Sequence, residues 1–119
     1  MIEFLNRLFE SREYAHGYHL KTTSFAEHLA LQTYYETIID MIDELAETYQ
    51  GQYEIIDDYQ IIVRNIKKQT PVEYFDELAN YVHIKRKDII NPETEHLISL
   101  IDNIHVLIYK TIYKLKNLK

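Results

Sequence analysis

The chain has 119 residues, 46% hydrophobic and 27% charged, with only 2 Gly and 2 Pro, which excludes collagen-like, low-complexity and turn-rich all-β classes. It has no Cys, so disulfide scaffolds, thiolate zinc sites and Cys nucleophiles are excluded as well. The net charge of −6 sets its surface against phosphate backbones, so nucleic acid is not an expected partner.

One helical domain over residues 1–119 is expected, long enough for a modest core. No run of 18 apolar residues occurs and no membrane contact is expected. The first residues carry acids early and lack a small-residue cleavage site, so a signal peptide is not expected and a cytoplasmic location is.

Ile2, Leu5, Leu8 and Phe9 recur at helical spacing and predict a first helix from Ile2 to about Leu20. Lys21-Thr22-Thr23 reads as a turn. Ser24 with Glu27 has the capping-box spacing, in which hydroxyl and carboxylate satisfy free amides reciprocally. A second helix follows to about Gln50, with Gly51 placed to take a left-handed C′ position. Its core stripe is Leu31, Tyr34, Ile38, Met41, Ile42, Leu45 and Tyr49. Ile55, Ile56, Tyr59, Ile62, Val63 and Ile66 keep helical period and predict a shorter helix in the crossover. Thr70-Pro71-Val72-Glu73 opens a third long helix, with Phe75, Leu78, Ala79 and Val82 inward, to about Arg86. Asn91-Pro92 opens the last, whose stripe runs from Leu97 through Ile104 and Ile108 to Leu115. Two long helices, a helical crossover and two more helices match an all-α four-helix bundle with one long connection.

Three of the 6 His lie between positions 16 and 28. The turn brings the helix ends together, so His16 and His28 are placed to approach and share a metal. Asp43 and Glu47 stand one turn apart on one face of the second helix. They cannot join His28 within one chain, because His28 and Asp43 are separated by about 22 Å of helix. Two antiparallel copies of the helix solve the geometry. His28 with Glu47, and Gln32 with Asp43, share one sum of residue numbers and therefore meet about the same two-fold axis. His28, Gln32, Tyr35, Ile39, Asp43 and Glu47 fall within about 100° of one helix face, with Tyr35 and Ile39 as its apolar centre. A two-fold dimer with a metal site at each end follows.

Ala15-His16, Phe25, His28 and Asp43-Glu44-Leu45-Ala46-Glu47, closed by Gly51, resemble the Dps miniferritins over roughly residues 12–51. The resemblance implies a ferritin-like bundle whose ferroxidase sites lie across a two-fold interface. His16 and His28 would come from one chain, Asp43 and Glu47 from its partner, with iron, or zinc in its place, as the metal. The chain departs from that family at Gln32, where an acidic residue is usual, and at Gly17-Tyr18, where Trp-Asn is usual. The loss of negative charge at Gln32 favours a weak or single-metal site.

The segments His19-Leu20-Lys21-Thr22, Ala26-Glu27-His28, Tyr49-Gln50-Gly51 and Tyr113-Lys114-Leu115-Lys116 are similar to short phage-type ferritin-like proteins of unknown function. The abundance of Ile (17) and Tyr (11) likewise resembles proteins of AT-rich genomes, phages among them. If the chain is phage-encoded, its location is the host cytoplasm.

Two functions are expected to compete. The favoured one is a non-catalytic protein that self-associates and binds a host protein or a small ligand, consistent with its Tyr-rich faces. The other is a Dps-like protein that oxidises or sequesters iron at His16, His28, Asp43 and Glu47. Glu13-x-x-His16 and Asp102-x-x-His105 have di-iron spacing without a convincing complement on other helices. His83, His96 and His105 read as surface or satisfied residues. Lys110, Lys114, Lys116 and Lys119 suit a helix C-terminus.

Overall fold

The computed structural model describes all of residues 1–119. Four α-helices make up the fold: α1 (Ile2–Lys21), α2 (Phe25–Gln52), α3 (Pro71–Ile89) and α4 (Glu95–Asn117), with a 3-10 turn at Pro92–Thr94 before the last. No strand is present.

Contacts fix the directions of the helices. α1 and α2 form an antiparallel hairpin through the turn at 22–24. Arg86 pairs with Asp102, and Lys116 with Asp76, so α3 and α4 are antiparallel. Lys85 reaches Glu3, and Tyr74 donates to Glu10, so α3 also runs against α1. The result is an up-down-down-up bundle, in which α2 and α3 are parallel and their connection must travel the length of the bundle. α1 packs on α2, α2 on α4 and α4 on α3, whereas α1 and α3 meet only sparsely.

The inward rows follow the predicted stripes. Leu5 and Leu8 of α1, Leu31, Tyr34, Ile38, Ile42 and Leu45 of α2, Phe75 and Val82 of α3, and Ile101, Ile104 and Ile108 of α4 are fully buried. Tyr34 lies edge-on against Phe75, and its hydroxyl meets Ser11 Oγ at 2.6 Å. Ser11 donates onward to the Leu8 carbonyl, so this buried polar pair is satisfied. Thr70 and Glu73 close a full capping box at the start of α3.

Three expectations are corrected. The crossover is not helical: residues 53–70 form an irregular strap, bent at Tyr53 and Asp57 and turned where the Gln60 amide meets the Asp58 carbonyl. Ile55, Tyr59, Ile62 and Val63 of the expected stripe are exposed, and only Ile56 and Ile66 pack against the core. The segment is rich in β-branched residues, which favour extended backbone, and α1 supplies hydrogen bonds to the main chain of Ile62, Arg64 and Ile66. Gly51 does not take a left-handed conformation; α2 runs through it to Gln52, where the Tyr53 amide closes on the Tyr49 carbonyl. The α2 cap is half of the expected box: Ser24 accepts from the Glu27 amide, but its own amide donates to Thr22 Oγ1 rather than to Glu27.

The strap is held by a row of α1 side chains. Asn6 exchanges two hydrogen bonds with the Ile62 main chain, at 2.9 and 3.1 Å. Glu10 accepts the Arg64 amide at 3.0 Å, and Tyr14 donates to the Arg64 carbonyl and accepts the Ile66 amide. Four residues of helix rise about 6 Å. Two residues of extended chain span about 6.6 Å. The i, i+4, i+8 row of α1 therefore keeps step with alternate residues of the strap.

Candidate functional site

The α1–α2 turn gathers the three His of the sequence cluster. His19 Nδ1 lies 2.8 Å from the His28 carbonyl and His28 Nδ1 lies 2.8 Å from the His19 carbonyl, with the two rings stacked at 3.6 Å between centroids. The carbonyls can only accept, so each Nδ1 is the donor and Nε2 is the ring nitrogen left without a partner in the chain. The His28 ring thus also satisfies a carbonyl in the last turn of α1, where intrahelical donors run out. His16 stacks on Tyr35 at 4.3 Å, and Tyr35 meets the His19 ring edge-on.

The direct partner of His28 is therefore His19, which the sequence reading left out of the metal set, and His16 joins the cluster through Tyr35 and His19. His19 is buried, His28 half-buried and His16 exposed. Asp43 and Glu47 stand exposed, further along α2. Within one chain no three His, Asp or Glu side chains come together in a way that could hold a metal ion. Gln32 donates to Glu36 on the same helix at 3.0 Å. Tyr35 and Ile39 are half-buried on the face between these ends.

The other metal-like spacings are engaged elsewhere. Glu13 pairs with Arg12, and Asp102 is held by Arg86 through two contacts of 2.7 and 3.2 Å. His105 Nε2 meets the Ala79 carbonyl, and burial pulls its pKa below the ordinary value. His96 bonds to Gln52.

The sequence reading missed the most deeply placed charge. Glu10 is 1% exposed. Arg64 Nε and Nη2 contact its two oxygens at 2.8 and 3.0 Å, and the Tyr74 hydroxyl donates to it at 3.0 Å. Burial by itself raises the Glu10 carboxyl, but the Arg64 side chain and amide outweigh it and hold the pKa below its ordinary value. One carboxylate thus joins α1, the strap and α3 along the groove where the two helices meet least. A lone Arg inside Ile61-Ile62-Val63-Arg64-Asn65-Ile66 was the signal that could have revealed it. Further along α1 a cleft of about 350 Å³ opens between the helix and the strap, lined by Tyr14, Tyr18, Lys21, Lys67 and Lys68 among others.

A family model described as a family of unknown function (DUF5856) matches residues 19–115. The chain belongs to that family. The matched stretch contains His19, His28, Asp43, Glu47 and the whole strap, and leaves outside it His16 and the Asn6–Glu10–Tyr14 row. No curated protein and no solved structure matches the chain. No helix is long and apolar enough to cross a membrane.

Proposed function

We propose that this chain is a non-catalytic protein of ferritin-like arrangement that self-associates and presents its remaining apolar surface to a partner protein or small ligand. The up-down-down-up order with one long connection supports the arrangement. The observation that carries the function is the grouping of exposed apolar side chains. Leu20, Phe25 and Leu29 stand 72%, 74% and 46% exposed around the α1–α2 turn. Val106, Tyr109 and Tyr113, at 51%, 54% and 58%, form one stripe on α4. Apolar residues scattered singly need no partner, whereas such groups mark interaction surfaces. The buried ionisable groups Glu10, Tyr34 and Tyr74 serve one another, Arg64 and Ser11, which is structural work.

Self-association is assigned to the α2 face centred on Tyr35 and Ile39. Ile39→Glu places two carboxylates near the two-fold axis and should lower the solution mass measured by light scattering at micromolar concentration. A wild-type monomer under those conditions overturns this reading.

A second reading, iron binding of the Dps kind between two copies, is supported by the His19–His28 exchange. A metal-ligating His characteristically donates its other ring N–H to a backbone carbonyl or carboxylate, which fixes the tautomer. His28 already has this arrangement, with Nε2 left as the ligand atom.

A further inference from the structure

The strap leaves one side of its main chain open. Ile62, Arg64 and Ile66 turn their main-chain groups toward α1, where Asn6, Glu10 and Tyr14 meet them. In extended chain the intervening residues point their N–H and C=O groups the opposite way. The main chains of Ile61, Val63 and Asn65 make no hydrogen bond within the molecule. Their surroundings are apolar and accessible: Ile61, Ile62 and Val63 are 52%, 58% and 44% exposed. A β-branched edge of this kind is a template for pairing with another extended segment.

The charges flanking the edge choose the occupant. Glu54, Asp57 and Asp58 precede the apolar stretch, and Lys67 and Lys68 follow it. None of the five forms an ion pair within the chain. A segment that fits must be apolar in the middle, basic where this strap is acidic and acidic where it is basic. The strap itself, turned end for end, meets that description.

We propose that the straps of two copies of this chain pair antiparallel about a two-fold axis at Val63. Val63 is the middle of the three outward-facing residues, so this register uses all of them. Ile61 faces Asn65 of the second copy, Val63 faces Val63, and about six main-chain hydrogen bonds form. The acidic stretch of each copy then lies toward Lys67 and Lys68 of the other. The two-stranded ribbon is sandwiched between the α1 helices of the two copies, whose side-chain rows stand in for the outer strands. This proposal rests on the self-association reading but uses a surface separate from the α2 face. Two different two-fold contacts on one chain build assemblies larger than a dimer.

Because the chain has no Cys, single substitutions report the register directly. Facing residues of a hydrogen-bonded antiparallel pair have Cα atoms about 5.5 Å apart, within disulfide reach. Val63→Cys should give a disulfide-linked dimer on mild oxidation, whereas Asn65→Cys, which faces Ile61, should not. Charge exchange provides an independent test. Asp57→Lys/Asp58→Lys makes both ends of the strap basic, and Lys67→Glu/Lys68→Glu makes both acidic. In an Ile39→Glu background, which silences the α2 face, each variant alone should be monomeric, and an equal mixture should return to dimer mass. Failure of Val63→Cys to cross-link, or cross-linking of both positions alike, overturns the strap pairing, as does a mixture that stays monomeric. Loss of mass on Ile39→Glu alone, with Val63→Cys still cross-linking, bears on the α2 face and not on the strap. Binding of an unrelated extended peptide in place of a second copy also overturns the proposal.

Discussion

Glu10 shows how a charge can stand almost wholly inside a small helical protein. Its two oxygens receive Arg64, the Arg64 amide and the Tyr74 hydroxyl, so the carboxylate is hydrogen-bonded from the strap and from α3. A carboxyl whose folded pKa lies below its unfolded value of 4.5 stabilises the fold fully above that unfolded value, and the stability is lost as pH falls through the folded pKa. Asp102 beside Arg86 acts in the same direction. Denaturation followed from pH 7 to pH 3 should therefore show a steeper acid loss in the wild type than in Glu10→Gln, which has no charge to lose at this position. Arg64→Ala leaves the buried carboxylate with only the more distant Arg7, at 3.9 Å, as a cation. Because the Arg64 side chain is 45% exposed and partly screened, the expected cost is about 2 kcal/mol rather than that of a fully buried pair. Urea unfolding at pH 7 measures it, and equal midpoints for Arg64→Ala and wild type would show that the contact contributes nothing.

At the scale of elements, helix existence and inward stripes were legible in the sequence because each had its own chemistry. Ser24 and Thr70 mark starts, Pro71 and Pro92 fit first turns, and the rows through Leu31–Leu45 and Leu97–Leu115 are long enough to define a period. The strap was not legible. Ile55, Ile56, Tyr59, Ile62, Val63 and Ile66 satisfy a helical period, but a short apolar run rich in Ile and Val fits extended chain equally well. What decides between them is the row on α1, some fifty residues away in sequence. The His cluster was legible only to the level of the turn: proximity followed from chain order, but the choice of His19 over His16 as the partner of His28 depends on which carbonyl each Nδ1 reaches. The row also predicts local stability. Asn6→Ala removes both hydrogen bonds to Ile62, each worth about 1 kcal/mol net. Amide exchange at Ile62 should accelerate by about tenfold, with the buried amides of α2 and α4 unchanged. Tyr14→Phe should do the same at Ile66. Unchanged exchange at both positions would mean that the strap is held by the Glu10–Arg64 contacts and by Ile56 and Ile66 packing, without help from Asn6 and Tyr14.

At the scale of the whole molecule, the two readings of the α2 face share one geometry and differ in chemistry. An antiparallel pair of α2 helices brings His28 of one copy to Glu47 of the other, and Gln32 to Asp43. The sites at the two ends are then equivalent by symmetry. If iron binds there, His16 and His28 must be neutral and Asp43 and Glu47 ionised, so acidification should release the metal. Dissociating the pair should release it too, since neither chain alone brings three such ligands together. Mixing two inactive variants separates this case from a merely solvated acidic face. His28→Ala and Glu47→Ala should each lose metal, because in a dimer of either variant every site carries a lesion. In a mixed dimer one end carries both lesions and the other neither. Random exchange makes about half of the dimers mixed, each with one intact site, so the mixture should regain about one quarter of the wild-type stoichiometry. Titration with ferrous iron or zinc followed by calorimetry reads the result. Wild-type binding by both single variants would remove these residues from the metal reading. A mixture that recovers nothing, although the single variants have lost binding, would place His28 and Glu47 at sites not shared between chains.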